Sequence, residues 1–209
     1  MSLSNLLATK YKISRELASR LSQLAEAKVY EKETRIIEEG AKVENLILPL
    51  SGVFGVHQHN PQNSLRHYLG LFTAGTVIND ASFVLGNKAE FSIVTLTDGS
   101  AIVLDLAIAR QLYQSDLEFA QMIARSTSTR ATIASNILSY RNEPDQTKRV
   151  LLALRAANKL TDGNTLPLSN EQLALLMGMS RNTIGTAIRE LVEQGVIDHE
   201  RGKITLLKS

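Results

Sequence analysis

The stretch SNEQLALLMGMSRNTIGTAIRELVEQG, residues 169–195, constrains this chain more than any other. It carries start and stop signals for two consecutive helices. Ser169 followed by Gln172 matches a capping box, in which the serine hydroxyl accepts the N–H three residues on and the glutamine side chain reaches back to the serine N–H. That sets where the first helix begins. Leu173, Leu176 and Met177 form its expected inner face, and Ala174 is small enough for a close helix crossing. Gly178 permits the left-handed backbone of a tight turn. Ser180 suits the cap of the second helix. Ile184, Ala187, Ile188, Leu191 and Val192 are expected to bury that helix, and Gly195 stops it.

The offsets matter as much as the residues. A small residue, a glycine four positions later, a cap, and an apolar anchor six positions after the glycine occur in the order a helix-turn-helix needs. An ordinary core hairpin would satisfy the apolar positions alone. Two features go further. The outer face of the second helix is polar and carries Arg181 and Arg189. The chain after it reads as a wing: Val196-Ile197, a turn at Glu200-Arg201-Gly202-Lys203, then Ile204-Thr205-Leu206.

Helical geometry then selects a candidate DNA-reading face: Arg181, Asn182, Gly185, Thr186 and Arg189 project away from the apolar anchors. Arg181 can bond guanine through two N–H groups, and Asn182 can pair with adenine. Thr183, Thr186 and Arg189 suit phosphate or a thymine methyl. Ser169 and Ser180 stand at helix N-termini, where free N–H groups favour phosphate. Lys203, with Arg201, can add backbone contacts from the wing. Charge gives modest support. Residues 144–209 hold nine Lys and Arg against seven Asp and Glu, whereas residues 1–143 hold fourteen of each.

Upstream, residues 14–27 place Leu17, Leu21 and Leu24 at helical spacing behind Ser14, predicting a short helix. From about 28 to 105 the pattern is short apolar runs between turn residues: TRIIEEG (34–40), NLILPLSGVFGVH (45–57), RHYLGLF (66–72), AEFSIVTLTDG (89–99) and AIVLDL (101–106). This spacing predicts an antiparallel β-roll or barrel. From 107 to 141 the period turns helical, with Asp116 as a cap. Leu117, Ala120, Ala124, Thr127, Ala131, Ala134 and Leu138 alternate steps of three and four, a heptad seam. Phe119, Ile123, Ile133, Ile137 and Tyr140 form a second stripe. A helix with two apolar faces needs two partners: the roll and an identical helix across a two-fold axis, or two faces of one monomer. The Ser/Thr run 126–129 with Thr132 and Ser135 lines either a ligand pocket or a solvated face. Pro144 ends the helix and suits the first turn of the next, DQTKRVLLALRAANKL (145–160), whose Val150, Leu151, Leu154 and Ala157 share a face. Asp162-Gly163-Asn164 reads as a turn. The expected units are a roll with its N-terminal helix (1–106), a dimerisation helix (107–143) and a winged helix-turn-helix (144–209), an α+β chain.

Several classes drop out. There is no cysteine, which excludes disulfides, thiolate metal sites, cysteine-held iron–sulfur clusters and a cysteine nucleophile. No apolar run approaches the roughly 20 residues of a membrane helix, and MSLSNLLATKYK is a poor signal peptide, so a cytoplasmic protein is expected. No catalytic constellation stands out, so no enzyme, metal or cofactor is expected. His57, His59 and His67 flank a turn at 60–63. With Gly52, His57-x-His59 distantly resembles the first metal motif of cupin barrels, though 60–64 reads NPQNS and lacks the carboxylate. The alternative function is therefore a metal-dependent cupin-type enzyme or a small-molecule-binding roll. Haem ligands and a plain polar hairpin tip are the other readings of these histidines.

The order of roll, long helix and winged helix resembles the cyclic-AMP receptor protein/Fnr (Crp/Fnr) family of bacterial transcription regulators over nearly the whole chain. GMSRNTIGTAIRELVEQGVI (178–197) is similar to the family pattern G-x-S-R-x-T-V-x-R-x-L-x-x-L-x-x-x-G-x-I. Gly52, Gly75 and FSIVTLTDGSAIVLDL (91–106) match more loosely. The resemblance implies a cyclic-nucleotide-binding-domain-like double-stranded β-helix, a homodimer on a two-fold symmetric operator, RNA polymerase as a further partner, and an effector bound in the roll. The departures are specific. Cyclic-nucleotide members carry Gly-Glu for the ribose and Arg-Ser/Thr for the phosphate, and Asn79-Asp80 and Phe91-Ser92 stand there instead. Phe91 cannot neutralise a phosphate, and an unpaired buried charge is costly. Asn182 replaces a common acidic residue, and Thr186 an arginine of some members, so a different operator is implied.

Overall fold

The computed structural model describes residues 2–57, 68–140, 142–159 and 164–207. Two helices open the chain where one was expected: α1 (Leu3–Tyr11) and α2 (Arg15–Leu24). Ser2 caps α1 by accepting the Asn5 N–H. Leu7 and Tyr11 bury it, and the Tyr11 hydroxyl donates to the Pro49 carbonyl at 2.8 Å. Ser14 caps α2, whose Leu17, Ala18 and Leu21 are buried. Ala25 is extended, so β1 (Glu26–Tyr30) starts two residues before the expected onset at 28.

The roll continues with β2 (Arg35–Ile37), β3 (Asn45–Ser51), β4 (Phe54–His57), β5 (Tyr68–Phe72), β6 (Ser92–Thr95) and β7 (Gly99–Asp105). These form two antiparallel sheets, in the orders β1-β7-β3 and β2-β6-β4-β5. The run 45–57 breaks into two strands at Ser51-Gly52. A Cβ on Gly52, at φ +83°, would lie 2.7 Å from the Asp98 carbonyl, so no larger residue fits that crossing. Between β5 and β6 lies a helix that the sequence pattern did not signal, α3 (Asp80–Leu85). It has six residues and no side-chain cap, too short for a helical period to show.

The segment expected as one helix from 107 is two: α4 (Leu106–Ser115) and α5 (Leu117–Tyr140). Asp116 does cap α5, accepting the Phe119 N–H at 3.0 Å. Phe119, Met122 and Ile123 pack into one core with Leu46, Leu48, Ile102 and Leu104 of the roll. The second stripe therefore meets the roll at its start, while Ile133 and Tyr140 are only half-buried. Asp145 caps α6 (Gln146–Asn158), so Pro144 stands just outside that helix and not in its first turn.

Then follow β8 (Thr165–Leu166), α7 (Asn170–Met177), α8 (Arg181–Glu193), β9 (Ile197–Glu200) and β10 (Lys203–Leu206). The last sheet has the order β8-β10-β9, and its hairpin turns at Gly202. This C-terminal unit touches the roll. Val53, Leu71 and Leu96 share an apolar cluster with Leu173, Leu176 and Ile184, and the Gln172 side chain donates to the Leu96 carbonyl at 2.9 Å. Among the described residues no helix is long and apolar enough to cross a membrane. The turn at Asp162-Gly163, the 60–63 turn, His59 and His67 lie outside the described residues.

Candidate nucleic-acid interface

The two helices of the C-terminal unit begin as their capping chemistry dictates. Ser169 Oγ accepts the Gln172 N–H at 3.2 Å, and Gln172 Oε1 accepts the Ser169 N–H at 2.9 Å. α7 ends at Gly178, in the left-handed region at φ 63°. Ser180 Oγ accepts the Thr183 N–H at 3.1 Å and starts α8. Ile184, Ala187, Ile188 and Leu191 are buried against α6 and α7. Val192, expected to join them, is 41% exposed. One residue past Leu191 the helix has turned by about 100°, which carries Val192 off the buried stripe.

The opposite face of α8 is open. Arg181, Asn182, Thr186 and Arg189 are exposed, and Thr183 is half-buried. A Cβ built on Gly185 meets nothing within 4 Å, so the space above mid-helix is clear. Lys203 and Arg201 are exposed on the wing, with the Lys203 ammonium 3.7 Å from Glu200. Ser169 differs from the rest of the candidate set. It is half-buried, and both its hydroxyl and its N–H are engaged with Gln172. One contact was not foreseen: the Arg181 guanidinium is ion-paired with Glu171 of α7.

The heptad seam of α5 lies bare in the single chain. Leu117 is 74% and Leu138 61% exposed. Ala124, Ala131 and Ala134 are exposed as well, with Ala120 and Thr127 half-buried.

A family model of the Crp-like helix-turn-helix domain matches residues 148–208, and one of the cyclic nucleotide-binding domain matches residues 27–116. The chain belongs to the Crp/Fnr family. Solved structures of regulators share the fold of this Crp/Fnr protein. The c-di-GMP-responsive global regulator CLP of Xanthomonas campestris is 19% identical, with a TM-score of 0.72 over 94% of this chain and 100% of CLP. FixK2 of Bradyrhizobium japonicum is 17% identical, with a TM-score of 0.76 over 88% and 93%. A Crp/Fnr regulator of Thermus thermophilus is 19% identical, with a TM-score of 0.67 over 88% and 94%. No curated protein matches at the sequence level. The chain is thus a Crp/Fnr-type transcription regulator with a helix-turn-helix DNA-binding domain.

The roll of this Crp/Fnr regulator contains a cavity of about 30 Å³ lined by Phe72, Asn79, Asp80, Glu90, Phe91 and Arg130 among others. That is room for about two waters. Asn79 adopts φ 72°, the left-handed conformation that asparagine tolerates better than most residues. Asp80 is buried. Its carboxylate accepts from the Ser126 hydroxyl at 2.6 Å and the Ala81 N–H at 2.7 Å, and pairs with Arg130 at 2.5 Å. The Arg130 guanidinium also sits 5.0 Å over the Phe72 ring. Burial raises the Asp80 pKa from its ordinary value, against the opposing pull of Arg130 and the Ser126 hydroxyl. Ser126 therefore belongs neither to a ligand wall nor to a solvated face: it is buried, joining α5 to the roll. Ser128, Thr129, Thr132 and Ser135 are exposed. The Ser92 hydroxyl accepts the Glu39 N–H at 3.0 Å. Among the described residues no group of three or more histidines and carboxylates is placed to hold a metal.

Proposed function

We propose that the protein acts as a homodimer that reads a two-fold symmetric operator through α8, with the roll not controlled by a cyclic nucleotide. The observation that carries the DNA reading is the division of α8. One face is buried by Ile184, Ala187, Ile188 and Leu191, while Arg181, Asn182, Thr186 and Arg189 stand free of the core on the other. Arg181 is assigned to guanine and Asn182 to adenine. Thr183, Thr186, Arg189, Ser180 and Lys203 are assigned to phosphate or thymine methyl. Ser169 has the weakest claim, because it is half-buried and its N–H already donates to Gln172 in the capping box.

The dimer reading rests on Leu117, Ala120, Ala124, Thr127, Ala131, Ala134 and Leu138, a row of mostly apolar, small residues of which five are exposed and Ala120 and Thr127 half-buried. Small residues in that row allow close approach of a second helix. The reading against cyclic nucleotide rests on charge. The ionisable lining of the roll cavity is Asp80, Glu90 and Arg130, and Arg130 is committed to Asp80. Among the described residues that line the cavity no cation is left over for a phosphate, and Phe91 stands where one is needed.

Enrichment of bound sequences from a random duplex pool, with the full-length protein, tests this reading. The expected result is an inverted repeat whose half-sites are about one helical turn apart or a multiple of it, unchanged by added cyclic nucleotide. Asymmetric sites, or enrichment only with a cyclic nucleotide, would refute it.

A further inference from the structure

The carboxylate of Glu171 is out of place for a surface that meets phosphates. It lies in the first turn of α7, exposed, on the side where Arg181 opens α8. A like-charged group there weakens binding to DNA unless it serves another purpose. The turn at Gly178 folds the two helices so that Glu171 and Arg181, ten residues apart, meet as an ion pair. Both are largely exposed, 54% for the glutamate and 70% for the arginine, so the paired guanidinium stays accessible to a ligand.

The donor count allows the pair and a base contact together. A guanidinium has five N–H donors in a fixed planar fork, and guanine takes two of them at O6 and N7. Glu171 engages Nη2, leaving donors for the base edge. A long arginine side chain held in one plane before it meets DNA loses less freedom on binding, and it presents the fork in one orientation. The same carboxylate cancels the charge of Arg181 toward phosphates that are not part of an operator.

We infer that Glu171 is a positioning residue for specificity. It orients the Arg181 guanidinium toward guanine and suppresses indiscriminate phosphate binding. This rests on the reading of Arg181 as the guanine reader.

The test uses full-length wild type, Glu171→Gln, Arg181→Ala and the double variant. Each is put through the same random-duplex enrichment. Affinity is then measured for the best duplex, for that duplex with each guanine exchanged in turn, and for a random 30-mer. Glu171→Gln keeps an exposed side chain of the same shape, so folding is not at stake. The expected result is a two- to fivefold loss of preference for one guanine, about the range such exposed pairs support. That guanine is the one whose preference Arg181→Ala abolishes. Tighter binding to the random 30-mer accompanies the loss, and Glu171→Gln has no effect on the preference once Arg181 is gone. An unchanged preference in Glu171→Gln overturns the inference. So does the same loss in the Arg181→Ala background, which would make Glu171 an independent reader. If Arg181→Ala itself leaves every base preference intact, the reading of Arg181 fails, and the role of Glu171 fails with it.

Discussion

Two arginine–carboxylate pairs divide the labour of this molecule, and burial separates them. Arg130 and Asp80 join α5 to the roll, with side-chain exposures of 25% and 1%. Arg181 and Glu171 join the two helices of the DNA-binding unit, at 70% and 54%. The same two chemical groups meet in both places. In the first, the carboxylate is cut off from bulk solvent, Ser126 and the Ala81 N–H complete its bonds, and Phe72 backs the guanidinium. Taking one partner away strands the other. In the second, both groups stand in solvent, and the guanidinium keeps donors free for a base edge while it holds Glu171. A buried pair fixes geometry, and an exposed one can be spent on recognition.

The largest effect tests the buried pair. Arg130→Ala should lower stability by about 3 kcal/mol, the low end for breaking a buried pair, because Asp80 can take up a proton in place of its partner. Urea unfolding followed by circular dichroism measures this. A loss below about 1 kcal/mol, the worth of a surface pair, would erase the distinction drawn between the two sites.

Arg181→Ala reverses the pattern. Stability should stay within about 0.5 kcal/mol of wild type, as for other surface changes. Specific DNA affinity should fall by about 1–3 kcal/mol. Fluorescence anisotropy on the selected duplex, beside the same urea titration, checks both halves. A variant that unfolds easily but binds normally would invert the comparison.

The pH response is the third way to separate the pairs. Burial raises the Asp80 pKa in the folded chain. The folded state therefore holds that proton more tightly than the unfolded one. Stability should fall as pH rises from about 4, where an unfolded aspartate ionises, through the raised value of Asp80. The slope from this one group is at most about 1.4 kcal/mol per pH unit. Urea midpoints across that window, in wild type and Asp80→Asn, measure it, and the variant should lack this part of the slope. An equal slope in both would show that Asp80 titrates as it does in the unfolded chain.

The difference between the sites also explains what could be read from sequence. The helix-turn-helix was legible because local chemistry defines it. Ser169 with Gln172, Gly178 and Ser180 each act within a few residues, and their spacing states the turn. The roll was legible as short apolar runs between turn residues, though its division into two sheets and their strand order were not. The Asp80–Arg130 pair was not, because its members are 50 residues apart and no period links them. In the sequence Asp80 stands out only as a departure from a family pattern, and Arg130 does not stand out at all. α1 was missed although Ser2, Leu7 and Tyr11 carry a cap and an apolar face. The seam of α5 was visible as a heptad. A repeat alone does not distinguish a second chain from a second face of the same monomer as its cover.

The smallest effect concerns Gln172, which stands between the two regions. Its Oε1 completes the capping box while its Nε2 donates to the Leu96 carbonyl of the roll. Gln172→Glu separates these duties. A glutamate still accepts the Ser169 N–H, because capping boxes use either residue, but it brings no donor to Leu96. The helix-turn-helix should stay folded while its hold on the roll weakens by about 0.5–1.5 kcal/mol, the net worth of one neutral hydrogen bond. Hydrogen exchange should quicken in α7 and β5, where the two units touch, and stay unchanged in the wing. A loss of α7 helicity instead would mean that the cap failed. Exchange unaltered in both elements would mean that Val53, Leu71 and Leu96 hold the units together by apolar contact alone.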